Sequence, residues 1–111
     1  MGGTSDAEVL ANVSLFPAKD GTAYYEYSAN TFQSLPIAAK EKGYQTAVMH
    51  PFRPGFWNRP PMYQALGFDA YLNQQDFELD EIYGMGLADH SFYRQAVQKM
   101  QQMQQPFYTF L

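Results

Sequence analysis

Apolar side chains recur at helical spacing near both ends of this chain. One set falls within residues 91–104, behind Asp89 as the capping residue, and comprises Phe92, Ala96, Met100 and Met103. A second set follows a helix start at Thr4 or Ser5 and comprises Ala7, Leu10 and Ala11, with the small polar Ser14 on the same face. Ser5 and Glu8 fit the S-x-x-E capping box. The pattern therefore predicts a helix near each end, each with one apolar face.

Short apolar runs and helix boundary signals alternate through the rest of the chain. Ser34 and Gly43 fit the start and stop of one helix, and Asn58 and Gly67 those of another. Strands are predicted within 45–49, 68–72 and 107–111, and the first and last of these are expected to be parallel neighbours in the sheet. The Tyr-rich segment that ends at residue 27 is predicted to be extended. The alternation predicts an α/β fold with a small parallel sheet flanked by helices. So thin a sheet has open edges, which favour self-association of the chain or marginal folding.

Composition narrows the class of partner. The chain has 111 residues, a formal net charge of −4 and a pI of about 4.9, so it lacks the basic surface that binds nucleic acid. It contains no Cys, which excludes a disulfide scaffold, a thiolate metal site and a Cys nucleophile. A membrane-spanning helix needs about 18 consecutive apolar residues, and no apolar run in this chain is that long. This chain is therefore expected to carry no transmembrane segment.

The candidate binding chemistry is concentrated in residues 47–63. This stretch contains His50, the only Trp of the chain (Trp57), Arg59 and four of the seven prolines. Proline disfavours a long helix or a central strand here, so we predict a shaped loop at the carboxyl end of the strand at 45–49, where α/β sheets bind ligands. Arg59, taken as lacking a neutralising partner, would hold a small anion, Trp57 would wall the site and His50 would donate a hydrogen bond. The alternative is a surface loop with a packed Trp and a solvated Arg.

The start of the first helix is a second candidate site. A hydroxyl there faces the positive end of the helix dipole and free backbone N–H groups, which favour an alkoxide or a bound phosphate. Such a hydroxyl needs a metal ion or a base to activate it. The alternative is a well-capped helix without a chemical role.

Three stretches occur in an order that resembles a known family: GGTSDAE, then VMHPFRPGFWNRPPMYQALGFD, then MGLADHSFYRQAVQKM with QPFYTFL. Together they are similar to the extracellular catalytic domain of the lipoteichoic acid synthases and their sulfatase-like relatives, within the alkaline phosphatase-like superfamily. The resemblance implies that residues 1–111 are the central segment of a three-layer sulfatase-like domain, a single partial domain. It also implies a location on the extracytoplasmic face of the cell membrane.

The resemblance further implies roles for individual residues. Thr4 corresponds to a threonine nucleophile that also binds Mn²⁺ or Mg²⁺, and His50, Trp57 and Arg59 correspond to residues that hold a phosphoglycerol head group. The implied reaction moves glycerophosphate from phosphatidylglycerol, or from another anionic ester, to an acceptor. The family's remaining metal ligands fall outside this chain, so the isolated chain is expected to bind no metal and to be inactive.

Two other functions stay open at this point. The first is a sulfatase or another ester hydrolase of the same superfamily, although sulfatases use a C/S-x-P-S-R motif and Ser5 is not followed by that pattern. The second is a non-catalytic module that binds glycans or polymers through Trp57 and the many tyrosines.

Overall fold

The computed structural model describes residues 3–111; Met1 and Gly2 lie outside them, and Gly2 belongs to the first stretch of the resemblance. In this part of the chain the helices are α1 (Thr4–Val13), α2 (Ala23–Glu26), α3 (Leu35–Glu41), α4 (Arg59–Ala65) and α5 (Asp89–Gln101). The strands are β1 (Gln45–Met49), β2 (Ala70–Leu72), β3 (Ile82–Tyr83), β4 (Gly86–Leu87) and β5 (Phe107–Phe110). Single 3-10 turns lie at Phe56–Asn58 and Gln74–Asp76.

The main sheet has the strand order β2-β1-β5, and both pairs are parallel. Gln45 pairs with Phe107 and Val48 with Phe110, which confirms the two segments predicted as parallel neighbours. Parallel strands need crossover connections, and the helices between them supply these. Strands β3 and β4 form a separate antiparallel pair. The architecture is the predicted α/β fold, with the candidate loop leaving the carboxyl end of the central strand.

Helices pack on both faces of the sheet and give three layers. On one face Val48 joins a buried cluster with residues of α1, α2 and α4, including Val9, Tyr24 and Met62. On the other face Met49 packs with Phe92 of α5 and its neighbours. The α5 face predicted from the sequence is confirmed, because Phe92 and Ala96 are buried while Met100 and Met103 pack against the same cluster.

Helix α1 differs from the prediction in its cap and in its buried face. Gly3 is the N-cap, and its N–H donates to Asp6 Oδ2 (3.2 Å), so the Ser5–Glu8 capping box is wrong. The buried face includes Ser5, Glu8, Val9 and Asn12. The predicted face points outward instead, with Ala7, Leu10, Ala11 and Ser14 all exposed. The reason is that Glu8 and Asn12 have buried hydrogen-bonding partners, which makes their burial tolerable.

The other boundaries are partly as predicted. Ser34 caps α3 as expected, accepting a hydrogen bond from the N–H of Ile37 (3.2 Å). Asn58 precedes α4 but makes no side-chain cap, and α5 begins at Asp89 itself, behind Ala88 as the N-cap. The Tyr-rich piece forms the short helix α2, so the extended prediction there is wrong.

Candidate functional site

The loop after β1 begins at His50, whose N–H donates to the carbonyl of Leu72 at the end of β2 (2.9 Å). It ends in a 3-10 turn in which Trp57 and Asn58 both have left-handed backbone conformations, with φ of 60° and 54°. Left-handed conformations are costly for residues other than glycine, so contacts around them must hold the turn in place. One such contact is the Asn58 side-chain amide, which donates to the carbonyl of Tyr24 (2.7 Å).

Arg59, at the start of α4, is buried, with only 1% of its surface exposed. Its Nη2 forms a salt bridge to Oε1 of Glu8 (3.0 Å), its Nε donates to the Tyr63 hydroxyl (3.0 Å) and its Nη1 donates to the carbonyl of Phe56 (3.3 Å). The expectation that Arg59 lacks a neutralising partner is therefore wrong. A guanidinium this deeply buried requires an opposite charge and hydrogen-bond acceptors, and Glu8 supplies the charge.

Glu8 is the centre of this buried polar cluster. Its Oε2 accepts hydrogen bonds from the hydroxyls of Tyr63 (2.8 Å) and Tyr24. Burial raises the pKa of both tyrosines well above the ordinary value, and the nearby Glu8 carboxylate raises it further, so both phenols stay protonated as donors. The cluster thus joins α1, α2 and α4 through one carboxylate.

Thr4 and His50 line one cavity of about 390 Å³. Glu8 and Tyr63 also contribute to its wall, and most of the remaining lining is apolar, from Ala7, Ala11, Val48, Met49, Phe110 and Leu111. Thr4 is exposed at the first position of α1, so its side chain is accessible from this cavity. The structure therefore brings together two of the four predicted site residues, from segments far apart in the chain.

His50 is half-buried beside a positive charge. Burial, and after it the nearby Arg59 guanidinium, lower the pKa of His50 to about 4, although the Glu8 carboxylate acts in the opposite direction. His50 is consequently neutral at pH 7, so one ring nitrogen can donate a hydrogen bond and the other can accept one. This state suits the predicted role of hydrogen-bond donor but provides no charge for an anion.

Trp57 and Arg59 are not part of the cavity lining. Trp57 is half-buried and packs edge-to-face on Phe56, with 5.7 Å between ring centroids. The guanidinium of Arg59 lies 5.9 Å from the centroid of the Phe56 ring and bonds to Glu8, which does line the cavity. Their predicted contacts with a head group stay predictions.

The described residues do not form a metal site by themselves. Within residues 3–111 no group of three or more His, Asp or Glu side chains is placed to hold an ion. The Glu8 carboxylate is already bonded to three partners, and Thr4 supplies one oxygen, whereas Mg²⁺ and Mn²⁺ need several oxygen or nitrogen ligands. The prediction that Thr4 binds a metal stays a prediction.

Sequence reasoning missed Glu8, Tyr24 and Tyr63. A signal for Glu8 was present, because residues four apart on a helix share a face, and Glu8 follows Thr4 by four. The tyrosines carried no comparable signal, since they are two of nine in a chain rich in aromatics.

A family model described as Sulfatase matches residues 2–111. The chain belongs to the sulfatase family. Among family members it is 35% identical to lipoteichoic acid synthase 1 of Bacillus subtilis, over 99% of this chain and 18% of the relative. It is 36% identical to a lipoteichoic acid synthase of Staphylococcus saprophyticus, again over 99% of this chain and 18% of the relative. The chain thus spans less than a fifth of the length of these curated relatives.

Solved structures place this sulfatase-family chain in the alkaline phosphatase-like fold. All of it superposes on 28% of the lipoteichoic acid synthase LtaP from Listeria monocytogenes, with a TM-score of 0.91 and 28% sequence identity. A protein in the alkaline phosphatase superfamily from Vibrio parahaemolyticus matches 90% of the chain and 26% of its own length, with a TM-score of 0.77. Its 18% identity shows the fold alone. None of the helices within residues 3–111 has the length and apolarity needed to cross a bilayer.

Proposed function

We propose that this chain is the nucleophile-bearing segment of a phosphoglycerol transferase of the lipoteichoic acid synthase type. Thr4 is the nucleophile, and the donor is phosphatidylglycerol or a closely related anionic ester. The observation that carries the proposal is the shared cavity: Thr4, at the start of α1, and His50, at the end of β1, line the same space. The family membership and the similarity to lipoteichoic acid synthases support it.

The proposed chemistry has two steps. The Thr4 hydroxyl oxygen attacks the phosphorus of the donor phosphodiester, the bond from phosphorus to the diacylglycerol oxygen breaks, and diacylglycerol leaves with the proton that Thr4 loses. An acceptor hydroxyl then attacks the same phosphorus, which releases glycerophosphate to the acceptor and restores the Thr4 hydroxyl. Covalent catalysis of this kind replaces one difficult transfer with two easier ones.

The residues around Thr4 would bind the donor rather than perform the bond changes. Neutral His50 donates a hydrogen bond to the head group across the cavity. Trp57 forms one wall of the site, and Arg59 contributes positive charge. The Arg59 guanidinium would contact the head group directly only after it leaves its buried position beside Glu8. The apolar lining from Val48 and Phe110 suits the less polar part of an ester better than a second anion.

We place this segment in an enzyme on the extracytoplasmic face of the membrane, next to its lipid substrate. Members of the alkaline phosphatase superfamily generally use divalent metal ions. In this proposal the metal would activate the threonine hydroxyl, and Thr4 would be the ligand that residues 3–111 provide. The isolated chain is accordingly expected to be inactive, and metal-dependent release of glycerophosphate from phosphatidylglycerol by the chain alone would contradict that expectation.

The test is a chimera in which this chain replaces the matched segment of Bacillus subtilis lipoteichoic acid synthase 1. Diacylglycerol release is measured from phosphatidylglycerol vesicles in the presence of Mn²⁺. The chimera is expected to be active, and Thr4→Ala is expected to abolish release, since no other group takes the place of the attacking oxygen. The covalent phosphoglyceryl-threonine should be detectable at Thr4 by mass spectrometry of the trapped intermediate.

Thr22→Ala provides the matched control. Thr22 precedes α2, makes no side-chain capping bond and does not line the cavity, so activity should persist. A Thr4→Ala chimera that still releases diacylglycerol would refute the proposal, as would a folded chimera that is inert. Hydrolysis of an aryl sulfate in place of phosphatidylglycerol would instead support the sulfatase alternative.

A further inference from the structure

Glu8 lies next to the proposed nucleophile but has no role in the reaction proposed above. It lies one helical turn after Thr4, both side chains line the same cavity, and only 7% of Glu8 is exposed. Its carboxylate bonds to Tyr24, Arg59 and Tyr63, which belong to α2 and α4. A buried carboxylate costs free energy unless such partners surround it, so the position is specific for an acid.

The partner of Glu8 anchors the far end of the candidate loop. The loop begins at His50 and ends at Arg59, and just before Arg59 both Trp57 and Asn58 have left-handed conformations. Arg59 holds this end with three N–H groups, which donate to Glu8, Tyr63 and the carbonyl of Phe56. The Glu8–Arg59 pair therefore ties the helix that carries Thr4 to the loop that carries His50.

We propose that Glu8 is a positioning residue: its carboxylate fixes the Arg59 guanidinium between α1 and the loop, and so sets how the Thr4 hydroxyl faces His50. The functional meaning of that geometry rests on the proposed role of Thr4. The arrangement itself can be tested without any turnover.

The alternative is that Glu8 only stabilises the fold and that Arg59 keeps its place through Tyr63 and Phe56. The two possibilities predict opposite changes in the titration of His50. Arg59 lowers the pKa of His50, and Glu8 raises it. If Glu8→Gln lets Arg59 move towards solvent, the lowering is lost and the midpoint rises. If Arg59 stays, only the opposing negative charge is lost and the midpoint falls.

The experiment uses the full chain and follows the His50 ring by NMR as a function of pH. His90→Gln is introduced in all variants, so that a single histidine titrates. The midpoint of His50 is expected near pH 4, and Glu8→Gln is expected to raise it towards the ordinary value. A midpoint that falls or stays constant in the folded variant would overturn the proposal.

Tyr24→Phe is the matched control. It removes one hydrogen bond to the same carboxylate, at an equally buried site, but leaves the Glu8–Arg59 pair in place. The His50 midpoint should then stay close to its original value. An equal rise in Tyr24→Phe and Glu8→Gln would show that general loosening, rather than the ion pair, moves His50, and would also overturn the proposal.

A measurement on the unmodified chain covers the case in which Glu8→Gln does not fold. The chain has three arginines, and Arg53, which is exposed, is the internal reference for Arg59. The Nη2 protons of Arg59, which donate to Glu8, are expected to exchange with solvent about 10-fold more slowly than those of Arg53, on the order of what a persistent buried hydrogen bond provides. Equal exchange rates would show that Arg59 is not held. Loss of catalysis by a Thr4 variant affects none of these readouts, so the two proposals fail independently.

Discussion

Replacing Glu8 with alanine should destabilise this protein more than any surface ion-pair substitution. The change removes the only acidic partner of the Arg59 guanidinium within the described residues, while the guanidinium itself stays 1% exposed. It also deprives the hydroxyls of Tyr24 and Tyr63 of their shared acceptor. An uncompensated buried charge is the costliest of these effects, because no other carboxylate among the described residues pairs with the guanidinium.

The size of the effect follows from the burial of the pair. Removing one partner of a buried ion pair costs about 3–5 kcal/mol, against a total stability of about 5–15 kcal/mol for a domain of this size. With a urea dependence of about 2 kcal/mol per molar, the unfolding midpoint should fall by about 2 M. Adding Arg59→Met to Glu8→Ala should cost much less than the same change in the unmodified chain, since no unpaired charge then remains.

The assay is urea unfolding followed by the fluorescence of Trp57, the single tryptophan. Lys40→Ala is the control, because Lys40 forms an exposed salt bridge with Asp69 at 3.0 Å, with 42% and 39% of the two side chains exposed. That pair should be worth about 0–1 kcal/mol. If Glu8→Ala shifts the midpoint no more than Lys40→Ala does, the buried cluster is not the stabilising feature we infer.

Two further predictions concern the loop. The pKa of His50 is lowered to about 4, so between about pH 6.5 and pH 4 the unfolded state binds a proton that the folded state does not. The free energy of unfolding should therefore fall as the pH falls through this window. In a plot of the urea unfolding midpoint against pH, His50→Gln should reduce the slope between about pH 6.5 and pH 4. An unchanged slope would show that another group is responsible. Asn58 has a φ of 54°, a left-handed conformation that glycine adopts more easily than alanine. Asn58→Ala should therefore be less stable than Asn58→Gly by about 1 kcal/mol in the same assay, since both variants lose the hydrogen bond to Tyr24 equally. Equal stabilities would argue against the left-handed conformation.

Local sequence signals predicted most of the scaffold. The runs at 45–49 and 107–111 contain β1 and β5, which are parallel neighbours as expected, and both runs were recognisable because they are short, apolar and bounded by turn signals. Ser34 capped α3 because its hydroxyl satisfies a free N–H at a helix start wherever tertiary contacts allow it. These features depend on residues close in sequence, which is why a pattern along the chain is enough to find them.

Elements that depend on distant partners were predicted less well. The Tyr-rich segment around Tyr24 lacks a helical pattern of its own, and it forms α2 where Tyr24 reaches Glu8 and packs edge-to-face on Tyr63. Tertiary contacts here override weak local preference. The cavity is an intermediate case: the position of His50 after a strand predicted a site at that edge, and Thr4 does line the same space.

The orientation of α1 shows why the hydrophobic pattern alone could not predict the buried cluster around Glu8. Hydrophobic periodicity assumes that charged residues face solvent, so Ala7, Leu10 and Ala11 were assigned to the core and Glu8 to a cap. The assumption fails when a charge has a buried partner, and the partner of Glu8 lies 51 residues away. Glu8 and Arg59 each look like a solvated surface group in isolation, and only their pairing makes burial of both favourable. A helix whose apolar side is exposed while its acid is buried has therefore been oriented by its polar contacts, and in this protein Glu8, at the centre of those contacts, lines the same cavity as Thr4.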